Sequence, residues 1–366
     1  MAEFLFSIVF PTYGVELYLR NAVEDILQQT YEKWELIIVD DASPDACGTI
    51  ADAFAVGDGR IRVIHKKKNE GLSAARNTGL ADAKGDYVLF LDPDDRFAHN
   101  LLQVLADEIT GFHNEWEHAP EVLAYGIYED YYRGADLQYR KEHSVAGARC
   151  RGAGDIYPVT VALEKETLYG YAWNKAYRRA FLKENAFAFR PVTHIEDILF
   201  NCDVFDKVNY FSNLCEKLLF YRNDLDNSDG RLTGKYLPDY FDLQKQRVQR
   251  LLKQYAGRKN ALSAEERREA LCVFAAEYVR SFLSMIERES AHGTAYEEIL
   301  EKCRAEQQGI LYQKLLPHYK TGGIIKGAVY YPIRCGFFGA AVMEARMIAW
   351  VKHFFPTFYN RMKQKR

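Results

Sequence analysis

Residues 87–97 read Tyr-Val-Leu-Phe-Leu-Asp-Pro-Asp-Asp-Arg-Phe, and this stretch decides the fold. Five apolar or aromatic residues in a row predict a buried strand, yet the run ends in three carboxylates within four positions. Asp92, Asp94 and Asp95 repel one another unless a cation sits among them. An isolated Asp-Pro-Asp-Asp also fits a solvated acidic turn bent by Pro93. A hard divalent ion is the other reading, because Mg2+ and Mn2+ favour oxygen ligands and keep water and substrate phosphates in their shell.

The surroundings favour the second reading. Apolar runs begin near Phe6, Trp34, Arg60 and Tyr87, a spacing of roughly 27 residues, with helical patterns between them. In ELYLRNAVEDILQQ, Leu19, Ala22, Val23, Ile26 and Leu27 share one face. Ser43-Pro44-Asp45 predicts a helix start, and residues 72–83 a third helix that ends before Gly85. Strands alternating with helices give an α/β fold with a mostly parallel sheet, whose ligands lie beyond the C-terminal strand ends. Those ends read Pro11-Thr12-Tyr13, Asp40-Asp41-Ala42-Ser43 and Asp92-Pro93-Asp94-Asp95, so a second acidic pair falls on the same edge.

Beyond residue 110 the pattern loosens. Residues 121–132 predict a strand, 171–185 and 194–208 predict helices, and the last part of the chain is mainly helical. Residues 257–270 predict a helix–helix turn or linker. The divisions expected are 1–110, 111–235 and 236–366.

The 366 residues are 48% hydrophobic and 27% charged, within the range of globular proteins, and a net charge of -3 argues against bulk nucleic-acid binding. The seven cysteines form no Cys-x-x-Cys pair, which predicts buried thiols in a reducing cytoplasm. The N-terminus lacks the pattern of a signal peptide, and no run of apolar residues is long enough to span a bilayer. Neither a P-loop nor a dinucleotide fingerprint follows the first strand, and His-Glu-x-x-His and Gly-x-Ser-x-Gly are also absent.

SIVFPTYG, ELIIVDDASPD and NEGLSAARNTGLADAKGDYVLFLDPDD, in that order across residues 6–97, resemble the successive signatures of family 2 glycosyltransferases with the GT-A fold. Trp173-Asn174-Lys175 and His194-Ile195-Glu196-Asp197-Ile198-Leu199-Phe200 continue the resemblance, the latter being similar to the family's Glu-Asp-x-x-Phe element. Bacterial capsule, exopolysaccharide and lipopolysaccharide transferases are the nearest in character. The resemblance implies a Rossmann-like sheet flanked by helices, a helical C-terminal extension, a UDP-sugar donor and an inverting transfer to a glycan.

It also implies roles. Pro11, Thr12 and Tyr13 would meet the base, with Tyr13 stacking on uracil. Asp41 would accept from the imide N–H with Asp40 in support. Asn69 and Gly71 would lie near the nucleotide, where a glycine lets the backbone approach. Arg76 would either contact phosphate or hold Asp92 in an ion pair. Asp92 would touch ribose, while Asp94 and Asp95 would hold Mn2+ or Mg2+. Asp197 would be the catalytic base, oriented by Glu196. Trp173, Asn174, Lys175 and His194 would face the acceptor, although Trp173 also fits a core position. Tyr221-Arg222 and Asn227-Ser228 resemble a loop that covers the diphosphate, which makes Arg222 a phosphate clamp.

From Lys320 to Arg366 nine Lys or Arg face a single acid, Glu344, amid many aromatics. That mixture suits peripheral attachment to an anionic membrane, such as the inner face of the plasma membrane where lipid-linked acceptors lie, and it equally suits a helix packed on the protein. A sugar-nucleotide nucleotidyltransferase or a non-catalytic nucleotide- or glycan-binding module are the competing functions.

Overall fold

Strands buried on both faces leave little room for polar residues, and the apolar runs of the first hundred residues fold accordingly. The computed structural model describes residues 3–192, 194–225, 236–320 and 331–354. The chain forms two compact units, Met1–Thr233 and Gly234–Arg366.

In the first unit the chain runs β1 (Phe6–Thr12), α1 (Glu16–Leu27), β2 (Trp34–Asp40), α2 (Cys47–Gly57), β3 (Ile61–His65), α3 (Leu72–Asp82) and β4 (Tyr87–Phe90). It continues through β5 (Arg96–Phe97), α4 (Leu101–Trp116), β6 (Val122–Arg133), β7 (Asp136–His143), β8 (Ala148–Arg151) and α5 (Ala153–Lys165). β9 (Lys175–Arg178), α6 (Arg179–Glu184), α7 (Glu196–Phe205) and β10 (Tyr210–Asp224) complete it. One sheet joins all ten strands in the order β3-β2-β1-β4-β9-β6-β10-β5, with β7 added to β6 and β8 to β10. β3, β2, β1 and β4 are mutually parallel, and β6 and β10 keep that direction beyond antiparallel β9.

Two features place the site. α3 lies hard against β1, because a Cβ on Gly79 would collide with the Val9 side chain. β6 passes Phe90 at the level of Ala124 and continues to Arg133, paired in parallel with β10 as far as Asp224. The β6–β10 pair therefore overhangs the edge where β1, β2 and β4 end.

Two local expectations are corrected. Residues 171–185 are not one helix: Lys175–Arg178 form β9, and only Arg179–Glu184 are helical. The gap between β4 and β6 takes β9 because it pairs with both and buries Ala176 and Tyr177. α2 starts at Cys47 rather than Ser43, because the Ser43 hydroxyl is used elsewhere. It accepts from Gly14 N at 2.8 Å and donates to Asp45 Oδ1 at 2.5 Å, and Asp45 Oδ1 also accepts from Cys47 N.

The second unit is helical: α8 (Tyr240–Arg258), α9 (Ala264–His292), α10 (Tyr296–Gln307), α11 (Ile310–Leu315) and α12 (Phe338–Phe354). Ser263 and Glu266 form a capping box that opens α9, so residues 257–270 do hold a helix–helix turn. Phe282 centres the core, in ring contact with Phe241, Tyr312 and Phe338. Among the described residues no helix is long and apolar enough to cross a membrane. Asn227 and Ser228 lie outside the described residues.

Candidate active site

The first two strand ends are stitched together by their turns. Thr12 is buried, its carbonyl accepts from Asp41 N at 3.0 Å, and Pro11 is buried beside it. Tyr13 follows on the surface, 51% exposed, with a ring open to stacking. Asp40 accepts from Ser43 N at 2.9 Å and pairs with His65 Nδ1 at 2.9 Å; this carboxylate, then Asp52, raises the His65 pKa. The Asp41 carboxylate accepts from Glu70 N at 3.1 Å and Gly71 N at 2.8 Å, and forms an ion pair with Lys66 Nζ at 3.0 Å. Both acids expected to meet the base are thus buried in the fold, each held by main-chain donors and by a basic side chain. They shape the rim on which Tyr13 and exposed Asn69 stand. Gly71 adopts φ +88°, a conformation costly for any residue with a Cβ, and so delivers its N–H to Asp41 as α3 begins.

The third strand end is the acidic one. Asp92 accepts from Arg76 Nη2 at 3.0 Å. Asp94 is half-buried, whereas Asp95 is buried and accepts from Arg222 N at 3.0 Å. The overhanging β10 is therefore tied to the carboxylate loop. The Arg222 guanidinium, expected to clamp phosphate, donates to Gly134 O and packs over Tyr132 at 4.0 Å and Tyr18 at 5.5 Å.

Arg76 is the centre of the cluster. It is 1% exposed, and besides Asp92 it donates through Nη1 to Asp197 Oδ1, with Glu196 Oε1 at 3.9 Å. The ion-pair alternative for this arginine is the one the fold adopts, and the guanidinium is sealed from solvent. Burial works against its charge, yet Asp197, Asp92 and Glu196 together raise its affinity for the proton. Asn77, one residue on, exchanges two 2.8 Å hydrogen bonds with the Phe189 main chain and so draws the segment before α7 toward α3.

Glu196 and Asp197 open α7, where the helix dipole favours acids. His194, half-buried just before them, adopts φ +84°, a strained backbone of the kind that collects at functional sites. Asp197 Oδ2 accepts from Ala172 N at 3.0 Å. Burial raises the Asp197 pKa, Arg76 pulls it down and Asp92 pushes it up. Burial and repulsion from Asp197 push Glu196 up to about 7. Its Oε2 is buried without a hydrogen-bond partner.

Next to Asp197 stands a ladder of three rings. Tyr171 stacks on Trp173 at 4.4 Å, and Trp173 stacks on Tyr221 at 5.4 Å with the planes 5° apart. Trp173 is 3% exposed and Tyr171 is 38% exposed, so Tyr171 presents the outer rung. Asn174 and Lys175, expected to face an acceptor, are wholly buried. Asn174 Nδ2 donates to Tyr125 O at 3.2 Å, and Lys175 Nζ donates to Leu168 O, Tyr171 O and Asn174 Oδ1 at 2.6–2.9 Å. Burial pushes the Lys175 ammonium down to about 7, and its bonds fix the turn that carries Tyr171 and Ala172. Sequence reasoning passed over Tyr171; two aromatics spaced i, i+2 just before Asn-Lys were the available signal.

A half-parallel sheet with acidic strand ends under an overhanging strand pair is the GT-A fold of nucleotide-sugar transferases. Residues 7–184 match the model of glycosyl transferase family 2, and this segment of the first unit is a domain of that family. The glycosyltransferase EpsJ of Bacillus subtilis is 30% identical over 221 residues, 60% of this chain and 61% of EpsJ. The minor teichoic acid biosynthesis protein GgaB of the same organism is 38% identical over 125 residues, 34% of this chain and 13% of GgaB. The chain spans less than two thirds of the length of either relative. The crystal structure of S. aureus TarS 1-349 in complex with UDP-GlcNAc aligns with 95% of this chain and 91% of that one, at TM-score 0.60 and 18% identity. At that identity the likeness establishes the fold.

Proposed function

We propose that the protein is an inverting, metal-dependent glycosyltransferase that moves a sugar from a UDP-sugar to a hydroxyl of a lipid-linked glycan in cell-surface polysaccharide synthesis. The observation that carries this reading is buried Arg76, which joins the donor-side Asp92 to the Glu196–Asp197 pair. Donor and acceptor chemistry are thereby held a guanidinium apart. The crystallised donor of TarS and the biosynthetic role in the name of GgaB support the donor and pathway. Seven free thiols suit a reducing compartment on the cytoplasmic side.

In this mechanism Asp197 takes the proton of the acceptor hydroxyl as its oxygen bonds to the anomeric carbon. The bond to the diphosphate breaks on the opposite face, which inverts the configuration. Arg76 and Ala172 N keep the carboxylate oriented, and Glu196, with a pKa near neutrality, sets the local charge. The uracil stacks on Tyr13, and a pyranose of the acceptor lies on Tyr171.

The donor set suits a hard divalent cation. Asp94 and Asp95 supply oxygen alone, and among the described residues no group of three His, Cys, Asp or Glu side chains is arranged to hold an ion. Two carboxylates would therefore share Mn2+ or Mg2+ with oxygens of the diphosphate and water. Bound there, such an ion would stabilise the charge on the departing diphosphate.

Calorimetry of UDP with and without Mn2+, followed by a panel of UDP-, GDP- and dTDP-sugars, tests the reading. Asp197→Asn is expected to bind UDP normally and lose transfer by about 10²–10⁴-fold. Undiminished transfer in that variant removes the base assignment. Full activity of an Asp94→Asn, Asp95→Asn double variant in chelator removes the metal. UDP binding without any sugar turnover would favour the non-catalytic module.

A further inference from the structure

The two units carry opposite charge. Residues 1–233 hold 25 Lys or Arg against 38 Asp or Glu, a net -13, while residues 234–366 hold 23 against 13, a net +10. The near-neutral total conceals this division, and a basic half points to an anionic partner.

α12 gives that partner its character. Phe338, Ala341, Val342 and Ala345 bury one face of the helix. Met343, Met347 and Trp350, spaced i, i+4, i+7, make an outward stripe, 68%, 60% and 54% exposed. Tyr331 and Phe337, just before the helix, are as exposed, and Arg334 is exposed between them. Arg346 lies beside the stripe, over the Tyr296 ring, and donates to Thr294 O at 3.1 Å. The single acid on α12, Glu344, is half-buried, and burial raises its pKa. α10 contributes exposed Glu297, Glu298 and Glu301, with Glu298 paired to Lys302, and the unit's excess of cations outweighs them.

We propose that the outward stripe of α12 docks on an anionic lipid bilayer, with Met343, Met347 and Trp350 among the acyl chains and the surrounding cations on the headgroup phosphates. Too short and too charged to cross, the helix has the makings of an interfacial one. A nucleic acid would meet the same positive charge but would leave thioethers and an indole without a use. The apolar stripe within a basic unit is what selects lipid. This inference stands apart from the catalytic reading, since no residue of the first unit enters it.

The test uses the full chain and vesicles of equal parts phosphatidylglycerol and phosphatidylcholine. Co-sedimentation is expected with these vesicles, and it should weaken with salt and be absent with phosphatidylcholine alone. Lipids brominated along the acyl chain should quench a tryptophan signal that is missing in Trp350→Phe. The variant Met343→Ser, Met347→Ser, Trp350→Ser should lose binding about tenfold or more while keeping its melting temperature and its UDP affinity. Failure of the wild type to sediment overturns the proposal, as does equal sedimentation of the triple variant. A stripe that instead joins two copies would show as a drop in mass by light scattering on the triple substitution, and RNA binding without lipid binding would identify the other anion. Because UDP affinity is read separately, a failure here leaves the transferase reading untouched.

Discussion

Each unit buries a charge cluster, and the two are balanced in opposite directions. In the first, one cation, Arg76, is outnumbered by Asp92, Glu196 and Asp197, with Asp94 and Asp95 next in the chain. In the second, one buried acid, Glu277, is held by two cations, Arg247 Nη1 at 2.8 Å and Arg280 Nη1 at 3.2 Å. The helical cluster is complete as it stands and reads as architecture. The sheet-edge cluster gathers three carboxylates on one buried guanidinium, a balance that suits the substrate-handling role proposed for it.

Removing the central charge from each cluster tests that contrast. Arg76→Ala strands three acids and should cost about 3–5 kcal/mol, enough to lower the melting temperature steeply or prevent folding. Glu277→Gln keeps the shape and should cost about 1 kcal/mol by denaturant titration. Equal costs would dissolve the distinction.

A smaller effect separates stability from pH. Folded, Glu196 holds its proton more tightly than its ordinary value of 4.5 allows, so its contribution to stability is full below that pH and is lost as pH rises through about 7. Glu196→Gln cannot lose that proton. Its melting temperature should match the wild type near pH 4.5 and exceed it above pH 7, by an amount worth on the order of 2 kcal/mol. A parallel pH profile for the two proteins would show the charge to be better compensated than the structure indicates.

The smallest effect concerns the exposed rung. Tyr171→Ala should raise the KM for a glycan acceptor about tenfold, leave UDP affinity unchanged, and be rescued by Tyr171→Phe. A change in donor affinity instead would move Tyr171 to the nucleotide side.

The alternation of strands and helices was readable because β1, β2 and β4 are buried on both faces and so appear as unbroken apolar runs. The carboxylates were readable because charge at the end of such a run is conspicuous. β9 was not, because its four residues flow into α6 without a break and only the gap between two other strands makes them extended. Arg76 was singled out, but its partner Asp197 lies 121 residues away, a distance only the fold closes. The inward turn of Asp41 was hidden for a similar reason, since its donors Glu70 N and Gly71 N carry no side-chain signature. Tyr171 is one of 25 tyrosines, and its one signal, the spacing to Trp173, does not say which of the two rings is exposed.

α3 behaves as a gauge block. The residues that lead into it hold Asp41, its second turn holds Asp92 and Asp197 through Arg76, and Gly79 seats it on Val9. One residue inserted between Gly71 and Arg76 would rotate the guanidinium by about 100° relative to the helix start. The strand ends would then lose their common reference, so length in this short segment should tolerate less change than any loop around the site.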